Sequence, residues 1–348
     1  MKKCLAVVII LLFVGTAIVP SSGQIEKISL ATPVGNTLYV GGSGPGNYTT
    51  IQDAVNDSSD GDTVYIYNDS SPYHEAVRIT HSIRIVGEDK PTTIIDGERI
   101  FWDIISVDAE HVAVSNLTIQ GGNGSGISIH SNHTLISQSI IRDCRTFDVQ
   151  IEAYDDAPIT DTVLEDNVIQ QSWSGVFCFR TMETILEGNF IDDNTFGINQ
   201  YQSFSNTILS NVMSRNTYGI QDEFGGRNRF EQNTFENNTL GIQIMACGRT
   251  QVIHNIFIHN DRDAYCINEG VYELQAKLSA WNHNDTFVFT QYRLLERIIW
   301  RENYWEKPRL FPYCISGELW LWTYWEPHPI PWVAFDWHPA QKTFQYGT

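Results

Sequence analysis

The chain repeats one pattern of apolar and polar positions every 22 residues. The phrase Asn-Thr-X-Gly-Ile begins at Asn194, Asn216 and Asn238. A second asparagine column has the same spacing, and each member has an apolar residue three positions before it and another two positions after it. Its members are Asn167, Asn189, Asn211, Asn233 and Asn255. Repetition at this interval is typical of a solenoid, whose coils bury their apolar faces by stacking on one another.

Alternation within each repeat predicts the kind of solenoid. Positions one and three after each repeat glycine are mostly apolar, whereas positions two and four vary, which is the period of a β-strand. A coil of 22 residues with short turns predicts three stacked parallel strands per coil, an all-β parallel β-helix. The repeated asparagines are predicted to be structural, because asparagine tolerates tight turns and its amide can hydrogen bond from coil to coil. Two inward positions, Gln200 and Asp222, break the apolar rule, either as buried polar residues or because the alignment slips by one there.

Other patterns bound the repeat at both ends. Residues Thr50 to Val55 have the capping residue and spacing of a short helix, which would cover the first coil. The period ends after residue 262, and residues 281–348 hold eight of the ten tryptophans and six prolines. We predict that these aromatics cover the last coils; a separate ligand module is the alternative. The predicted division is a signal peptide (1–23), an N-terminal segment with the capping helix (24–62), the β-helix (63–267) and a C-terminal cap (268–348).

An insertion is expected in the middle of the β-helix. Asn116 and Gln138 continue the asparagine column upstream at intervals of 22, but the step from Gln138 to Asn167 is 29 residues. Seven extra residues are therefore expected, within residues Ala153 to Ile159. In a solenoid such an insertion loops out from one side.

The N-terminus has the features of an export signal. Two lysines precede an apolar run from Leu5 to Val19, and small residues follow it. The alternative is an uncleaved anchor, although the run is shorter than the ~20 residues of a spanning helix. No other segment could cross a bilayer. We therefore expect a secreted or cell-surface protein, and we expect it to be a monomer.

Charge, sequons and cysteines narrow the class of protein. Without residues 1–23 the chain has 20 basic and 41 acidic residues, a net charge of −21, which argues against nucleic acid or an anionic membrane surface as a partner. Eight Asn-X-Ser/Thr sequons suit an exported glycoprotein, although an Asn- and Thr-rich repeat generates them by composition. Cys178 and Cys266 fall four coils apart, ~19 Å, too far for a disulfide. Cys247 and Cys266 fall on nearby coils, and Cys314 could approach either of them, but a disulfide scaffold is not predicted.

Several phrases resemble a known family. The segment from Gly46 to Val55, together with Ile83 to Gly87 and Thr93 to Gly97, resembles the opening of right-handed parallel β-helix proteins of the pectate-lyase-like superfamily. The repeats resemble the NosD-type, or carbohydrate-binding and sugar-hydrolysis, repeat family, and the ending from Ile330 to Ala340 is similar to exported archaeal members. The resemblance covers nearly the whole mature chain. It implies the fold strongly and an activity only weakly, because this fold hosts lyases, hydrolases, epimerases and noncatalytic surface proteins.

A ligand groove would follow the outward positions of the strand after each repeat glycine. Aromatic faces between amides and carboxylates suit an extended sugar chain, since rings stack on sugar C–H faces while polar groups bind hydroxyls. The alternative is an ordinary solvated sheet with exposed aromatics. The candidate ligand-binding residues are Glu152, Asp155, Asp156, Phe177, Phe179, Arg180, Asn199, Tyr201, Gln221, Glu223 and Gln243.

Catalytic residues are harder to identify. A glycosidase needs two carboxyl groups ~5–9.5 Å apart, whereas Glu152 and Glu223 are expected three coils, or ~14 Å, apart. The pairs Asp155-Asp156 and Asp192-Asp193 are strand neighbours that point to opposite faces. A lyase needs a basic residue beside calcium-binding acids, and Arg180 is the only basic residue near the groove. The catalytic residues are therefore unknown, and lyase or hydrolase activity stays an alternative.

The NosD-type family is associated with copper, and two histidines of this chain are candidate copper ligands. His111 and His133 fall five residues before Asn116 and Gln138, at one column position. By spacing, the same column continues as Thr162, Thr184, Asn206, Asn228 and Thr250, which predicts an ordinary polar turn. Two histidines without a third ligand make a poor site. The sequence therefore predicts no metal site and no cofactor, and a copper-handling protein is the weakest alternative.

The sequence as a whole favours a β-helix protein that binds extracellular or cell-surface polysaccharide, with processing of that polysaccharide left open. A noncatalytic structural surface protein is the alternative from a different class. The two differ in whether the face of Phe177, Phe179 and Tyr201 is open and binds polysaccharide.

Overall fold

The computed structural model describes residues 35–154, 157–268, 298–307, 309, 311–323 and 326–342. The predicted signal peptide (1–23), Asp155 and Asp156 lie outside the described residues. The described chain forms a right-handed parallel β-helix with three long sheets, as predicted. We call these sheets A, B and C, in the order in which each coil enters sheet A, then sheet B, then sheet C.

Sheets A and B are built from short strands, mostly of three or four residues. The strands of sheet A are Thr37–Val40, Thr63–Ile66, Arg84–Gly87, Ala113–Ser115, Leu135–Ser137, Val163–Glu165, Ile185–Glu187, Thr207–Leu209, Arg229–Glu231, Gln251–Ile253 and Ile299–Arg301. The strands of sheet B are Ile94–Asp96, Thr118–Gln120, Ile140–Arg142, Val168–Gln170, Phe190–Asp192, Val212–Ser214, Thr234–Glu236, Ile256–Ile258 and Tyr304–Trp305.

Sheet C has longer strands and therefore the widest outward face. Its strands are Val77–Ile79, Asp103–Val107, Ser125–Ile129, Phe147–Glu152, Ser174–Phe179, Phe196–Tyr201, Tyr218–Glu223, Leu240–Met245, Arg262–Asn268, Tyr313–Thr323 and Glu326–Asp336. The last two pair antiparallel, whereas the earlier neighbours are parallel. A small additional sheet joins Ile159–Thr160 to Thr181–Met182.

A helix, Ile51–Asp57, covers the N-terminal end of the core. It starts where Thr50 accepts a hydrogen bond from the Asp53 backbone N–H, and the Glu75 carboxylate accepts from the backbone N–H groups of Ile51 and Gln52. Its apolar face buries Ile51, Ala54 and Val55 against the strands beginning at Thr37, Thr63 and Val77. The predicted capping helix is therefore present.

The interior is filled by columns of aliphatic side chains in register from coil to coil. Ile198 pairs with Ile220, which pairs with Ile242, and all three are fully buried. Gln200 and Asp222 pair in the next inward column and are also buried, so they are polar residues of the core and the alignment does not slip there. Asn206 donates to Gln200 Oε1 at 2.7 Å. Asn228 donates to both Asp222 oxygens at 3.1 and 3.0 Å.

The repeated asparagines form hydrogen-bonded ladders, which confirms their structural role. In the longest ladder each side-chain amide except the last donates to the Oδ1 of the asparagine one coil further on, at 2.9 to 3.1 Å. Each also donates to a backbone carbonyl of the core strands, and its Oδ1 accepts from the preceding asparagine's backbone N–H. The members are Asn167, Asn189, Asn211, Asn233, Asn255 and Asn303. A second ladder joins Asn194, Asn216, Asn238 and Asn260.

The prediction that Asn116 and Gln138 continue the asparagine column upstream is wrong by one residue. Ser139, not Gln138, occupies the ladder position, because its backbone N–H donates to Asn167 Oδ1 at 3.0 Å. Gln138 and Asn116 have positive φ angles of 48° and 61°, like Asp166 with 56°, and form the tight turn just before the ladder. The step from Ser139 to Asn167 is therefore 28 residues, and the extra chain leaves the coil after strand Phe147–Glu152.

The β-helix gains a further coil from the C-terminal part of the chain. Trp300 pairs with Val252 in sheet A, and Trp305 pairs with Phe257 in sheet B. The rings of Phe257 and Trp305 stack at 4.4 Å, and Trp305 stacks on Tyr313 at 4.0 Å. Residues assigned from sequence to the C-terminal cap thus continue the core columns as well as covering them.

Neither disulfides nor a membrane helix contribute to the described fold. Cys144, Cys178, Cys247, Cys266 and Cys314 are all free thiols. Across the described ranges, every helix is too short or too polar to cross a bilayer.

Candidate functional site

The outward face of sheet C carries the two predicted columns of side chains in register. One column pairs Gln150 with Phe177, and continues through Asn199 and Gln221 to Gln243. The other pairs Glu152 with Phe179, and continues through Tyr201 and Glu223 to Met245. All of these side chains are partly exposed. Because parallel strands lie ~4.8 Å apart, each column presents one side chain per coil at that spacing.

A third group of aromatic residues borders these columns and was missed by sequence reasoning. Phe147 stacks on Phe177 at 4.8 Å, and Phe196 stacks on Tyr218 at 5.0 Å. Trp173 lies between them, in edge contact with Phe147 at 5.8 Å and Phe196 at 5.1 Å, and it is 44% exposed. Two members could have been found from the Asn-Thr-X-Gly-Ile phrase, because Phe196 and Tyr218 occupy its variable position. Phe147 and Trp173 lie outside that phrase.

A second aromatic cluster lies at the other end of the same strands. Phe179 and Tyr201 stack at 5.9 Å, and Tyr201 meets the edge of Phe224 at 5.4 Å. The Arg180 guanidinium lies 5.3 Å from the centre of the Phe179 ring and donates to Gln202 Oε1 at 3.2 Å. Arg180 is thus held at the margin of the face by its neighbours.

The carboxylates of Glu152 and Glu223 lie on this face but are not in contact with each other. Gln150 donates to Glu152 and Gln221 donates to Glu223, so each carboxylate is paired with the amide two residues before it. Burial raises the pKa of the half-buried Glu223 carboxyl, and the hydrogen bond from Gln221 opposes that rise. Phe179 and Tyr201 separate Glu152 from Glu223, so the two are three coils, ~14 Å, apart and do not form a glycosidase pair.

The N-terminal end of the face contains a serine and a histidine in contact. Ser128 Oγ lies 2.9 Å from His130 Nε2, and the Glu152 carbonyl lies 3.4 Å from His130 Nδ1. Tyr154 covers the histidine ring at 4.5 Å. Ser128 is buried, with 1% of its surface exposed, so this pair lacks the accessible hydroxyl that a nucleophile needs.

A polar cleft adjoins the aromatic residues at the turn between sheets B and C. Its volume is about 540 Å³. Trp173 occupies the position that Thr195 and Thr217 have on the following coils, so it lies one coil before the two threonines that line the cleft. Arg215 forms an ion pair with the buried Asp192 at its margin. The lining residues are Asp143, Gln171, Ser172, Asp193, Asn194, Thr195, Arg215 and Thr217.

The two histidines considered for copper do not occupy the position assigned from sequence. His111 and His133 have positive φ angles of 59° and 57° and align with Asp161 and Glu183, which have φ angles of 57°. The buried column that contains Thr162 and Thr184 lies one residue later in each coil. The histidine rings stack at 4.7 Å, and Glu110 adds a third possible ligand, with the ligand atoms of all three residues within 4.8 Å of one another.

Most of the chain matches one known protein family. The profile of the family described as "Periplasmic copper-binding protein (NosD)" matches residues 35–310. The chain belongs to the NosD family. No curated protein sequence matches it.

Two solved structures share the fold of this NosD-family chain. A complex of XylC with xylose has a TM-score of 0.55 and 12% identity, covering 67% of this chain and 68% of that one. Pectate lyase Pel9A has a TM-score of 0.51 and 10% identity, covering 68% of this chain and 78% of that one. At such identities the likeness concerns the fold alone.

The NosD family description names copper, so the side chains of this chain that could bind copper are of interest. Cys144, Cys178, Cys247 and Cys266 are buried, and burial raises the pKa of each thiol, so these cysteines do not offer accessible thiolates. The exposed cluster of Glu110, His111 and His133 offers imidazole and carboxylate donors instead. This donor set fits Cu(II) rather than Cu(I), which prefers thiolate and thioether ligands.

Proposed function

We propose that this protein binds an extended polysaccharide along the outward face of sheet C, outside the cytoplasm. The observation that carries the proposal is the series of partly exposed aromatic rings on successive coils, flanked by amides. Phe177, Phe179 and Tyr201 would stack on sugar rings, while Asn199 and Gln221 would bind hydroxyl groups. Secretion and residence at the cell surface are part of the same proposal.

The polar cleft supports this proposal as a place for one sugar unit or a branch. Hydroxyl, amide, carboxylate and guanidinium groups line it, and Trp173 lies one coil before Thr195 of its lining. Sugar-binding sites combine such hydrogen-bonding groups with one apolar ring face. A polymer that follows the face would therefore meet both a flat aromatic platform and a polar recess.

The charges on the face favour a neutral polysaccharide. Glu152 and Glu223 stand on it, and the chain as a whole carries a net charge of −19. Repulsion by these carboxylates would weaken binding of a polyuronate, and the repulsion would be strongest at low salt. We therefore expect neutral glycans to bind better than acidic ones.

A glycan-array screen of the purified protein tests the proposal, followed by titration of the best glycan against variants. Tyr201→Ala removes a stacking ring and should weaken binding at least tenfold. Glu223→Ala should weaken it less, because Gln221 remains to bind hydroxyls. Phe190→Ala is the matched control, because Phe190 is 37% exposed on sheet B, away from the proposed face. Absence of binding to every glycan would overturn the proposal and favour a structural surface protein.

Catalysis is tested by the fate of the bound glycan. Binding without catalysis predicts that the polymer is recovered intact after long incubation. A hydrolase would release new reducing ends, and a lyase would release unsaturated ends that absorb in the ultraviolet. Either product would replace the binding proposal with one of the enzyme alternatives.

A further inference from the structure

Two histidines project side by side from adjacent coils at the turn between sheets C and A. His111 and His133 occupy the same turn position, since Ala113 pairs with Leu135 two residues later in both coils. Their rings are parallel within 6° and 4.7 Å apart. His111 is exposed and His133 partly exposed, so both rings are accessible to a solute.

Carboxylates flank this histidine pair on both sides. Glu110 lies beside it, and Asn132 holds the Glu110 carboxylate with a hydrogen bond of 3.0 Å. On the other side, Asp161 Oδ2 lies 3.6 Å from His133 Nδ1. Partners of this kind orient histidine and carboxylate ligands in metal sites. The two carboxylates also place negative charge where a cation would bind.

We propose that Glu110, His111 and His133 form a surface site for one divalent transition-metal ion, with Cu(II) bound most tightly. Two imidazoles and a carboxylate are typical ligands of borderline metals, and for such ligands affinity rises to a maximum at Cu(II). Asp161 is a positioning residue for His133. The site lies at the turn after sheet C, whereas the polar cleft lies at the turn before it, so the proposal is independent of polysaccharide binding.

The rings must rotate for both to bind one ion. The lone pair of an imidazole nitrogen lies in the plane of its ring, so two stacked parallel rings cannot both direct it at the same metal. The three ligand atoms lie within 4.8 Å of one another, which is close enough for rotation of exposed side chains to bring them together. Metal binding should therefore break the stacking of His111 and His133.

The same turn position elsewhere does not repeat this chemistry. On later coils it is occupied by Glu183, Ser205, Arg227 and Arg249. Serine and arginine do not supply the imidazole donors, and the arginines would repel a cation. The site is therefore a local feature of two coils and not a property of the repeat.

Titration of the untagged protein with CuSO4 by calorimetry, together with electron paramagnetic resonance, tests the site. We expect one equivalent of Cu(II) to bind and its spectrum to show coupling to two nitrogen nuclei. Zn(II) and Ni(II) should bind at the same site more weakly. A polyhistidine tag must be absent because it would supply the same donors.

The variants are chosen to keep the turn intact. His111→Asn and His133→Asn remove one imidazole each, and asparagine tolerates the positive φ angles of these positions. Each should weaken Cu(II) binding at least tenfold, and the double variant should abolish the nitrogen coupling. His74→Ala is the control, because His74 lies 3.2 Å from the Glu98 carboxylate without a second histidine in the cluster. Unchanged Cu(II) affinity in the double variant, or equal loss in His74→Ala, would overturn the proposal.

Discussion

The Asn303 side-chain amide donates to the Asp336 carboxylate at 3.1 Å, and Asp336 thereby ends the longest asparagine ladder. Asp336 Oδ2 also accepts from the Asn303 backbone N–H at 3.0 Å, as the Oδ1 of another ladder asparagine would. The same oxygen accepts from Trp305 Nε1 at 3.1 Å. Because Asp336 is fully buried, its Oδ2 alone satisfies three donors at the C-terminal end of the described ladder.

Replacing Asp336 should destabilise the C-terminal end of the fold. Asp336→Ala leaves three buried donors without an acceptor, and the expected loss is ~3 kcal/mol in the free energy of unfolding. Asp336→Asn keeps an acceptor oxygen and should lose clearly less. Urea denaturation followed by tryptophan fluorescence measures both. Equal stability of Asp336→Ala and the wild type would show that Asp336 does not support the ladder.

Removing the side chain of a ladder asparagine in the middle of the solenoid should lower the free energy of unfolding. The loss should be far larger than for an outward asparagine of the neighbouring coil. Asn211 donates to the carbonyls of Leu186 and Leu209 and to Asn233 Oδ1, at 2.8, 3.0 and 3.1 Å. Asn211→Ala should therefore cost ~2–3 kcal/mol of unfolding free energy. Asn199→Ala, on the outward face of sheet C, should cost less than ~0.5 kcal/mol. Urea denaturation compares the two, and similar losses would contradict the structural role of the ladder.

The buried carboxyl group of Asp222 should make stability depend on pH. Burial raises its pKa to about 7, opposed by hydrogen bonds from Asn228, while the Glu223 charge raises it further. In the unfolded chain an aspartate has a pKa of ~3.9. Between these values the folded chain binds more protons than the unfolded chain, so this group's contribution to stability falls as the pH rises from about 4 to about 7.

Asp222→Asn removes this titration. Its stability relative to the wild type should therefore increase across the same pH range, by on the order of a few kcal/mol. Urea denaturation at several pH values measures the difference. Asp193→Asn, a change of the same kind at a turn residue, serves as the control. A difference between Asp222→Asn and the wild type that stays constant with pH would contradict the assignment.

The central coils could be predicted from sequence because their spacing is constant and their asparagines recur. Prediction failed by one residue upstream, where Asn116 and Gln138 are polar turn residues that resemble the ladder position beside them. The ladder itself has Leu117 and Ser139 there, which carry no asparagine signal. The same slip hid the turn position of His111 and His133, and the contact with Glu110 depends on side-chain directions that spacing does not give.

The end of the solenoid was also beyond sequence reasoning. Asn255 and Asn303 are consecutive in the ladder although 48 residues separate them. A search for a 22-residue period does not connect two residues at that separation. Asp336 is an aspartate, so the asparagine pattern does not identify it either. The outward columns of sheet C were predictable, because alternation along a strand assigns each residue to a face. The border of Phe147, Trp173 and Phe196 depends on packing between coils.

Trp173 should contribute more to the affinity for glycan than Thr195 and Thr217, which occupy the same position on the next two coils. Its ring is 44% exposed and is held between Phe147 and Phe196, so it can stack on a sugar without losing much freedom. Trp173→Thr introduces the residue that follows at this position on the next two coils, and should weaken glycan binding about tenfold, or ~1.4 kcal/mol. Phe190→Ala on sheet B should leave affinity unchanged. Calorimetry with the best array glycan decides: an unchanged affinity for Trp173→Thr would exclude the cleft margin from the binding surface.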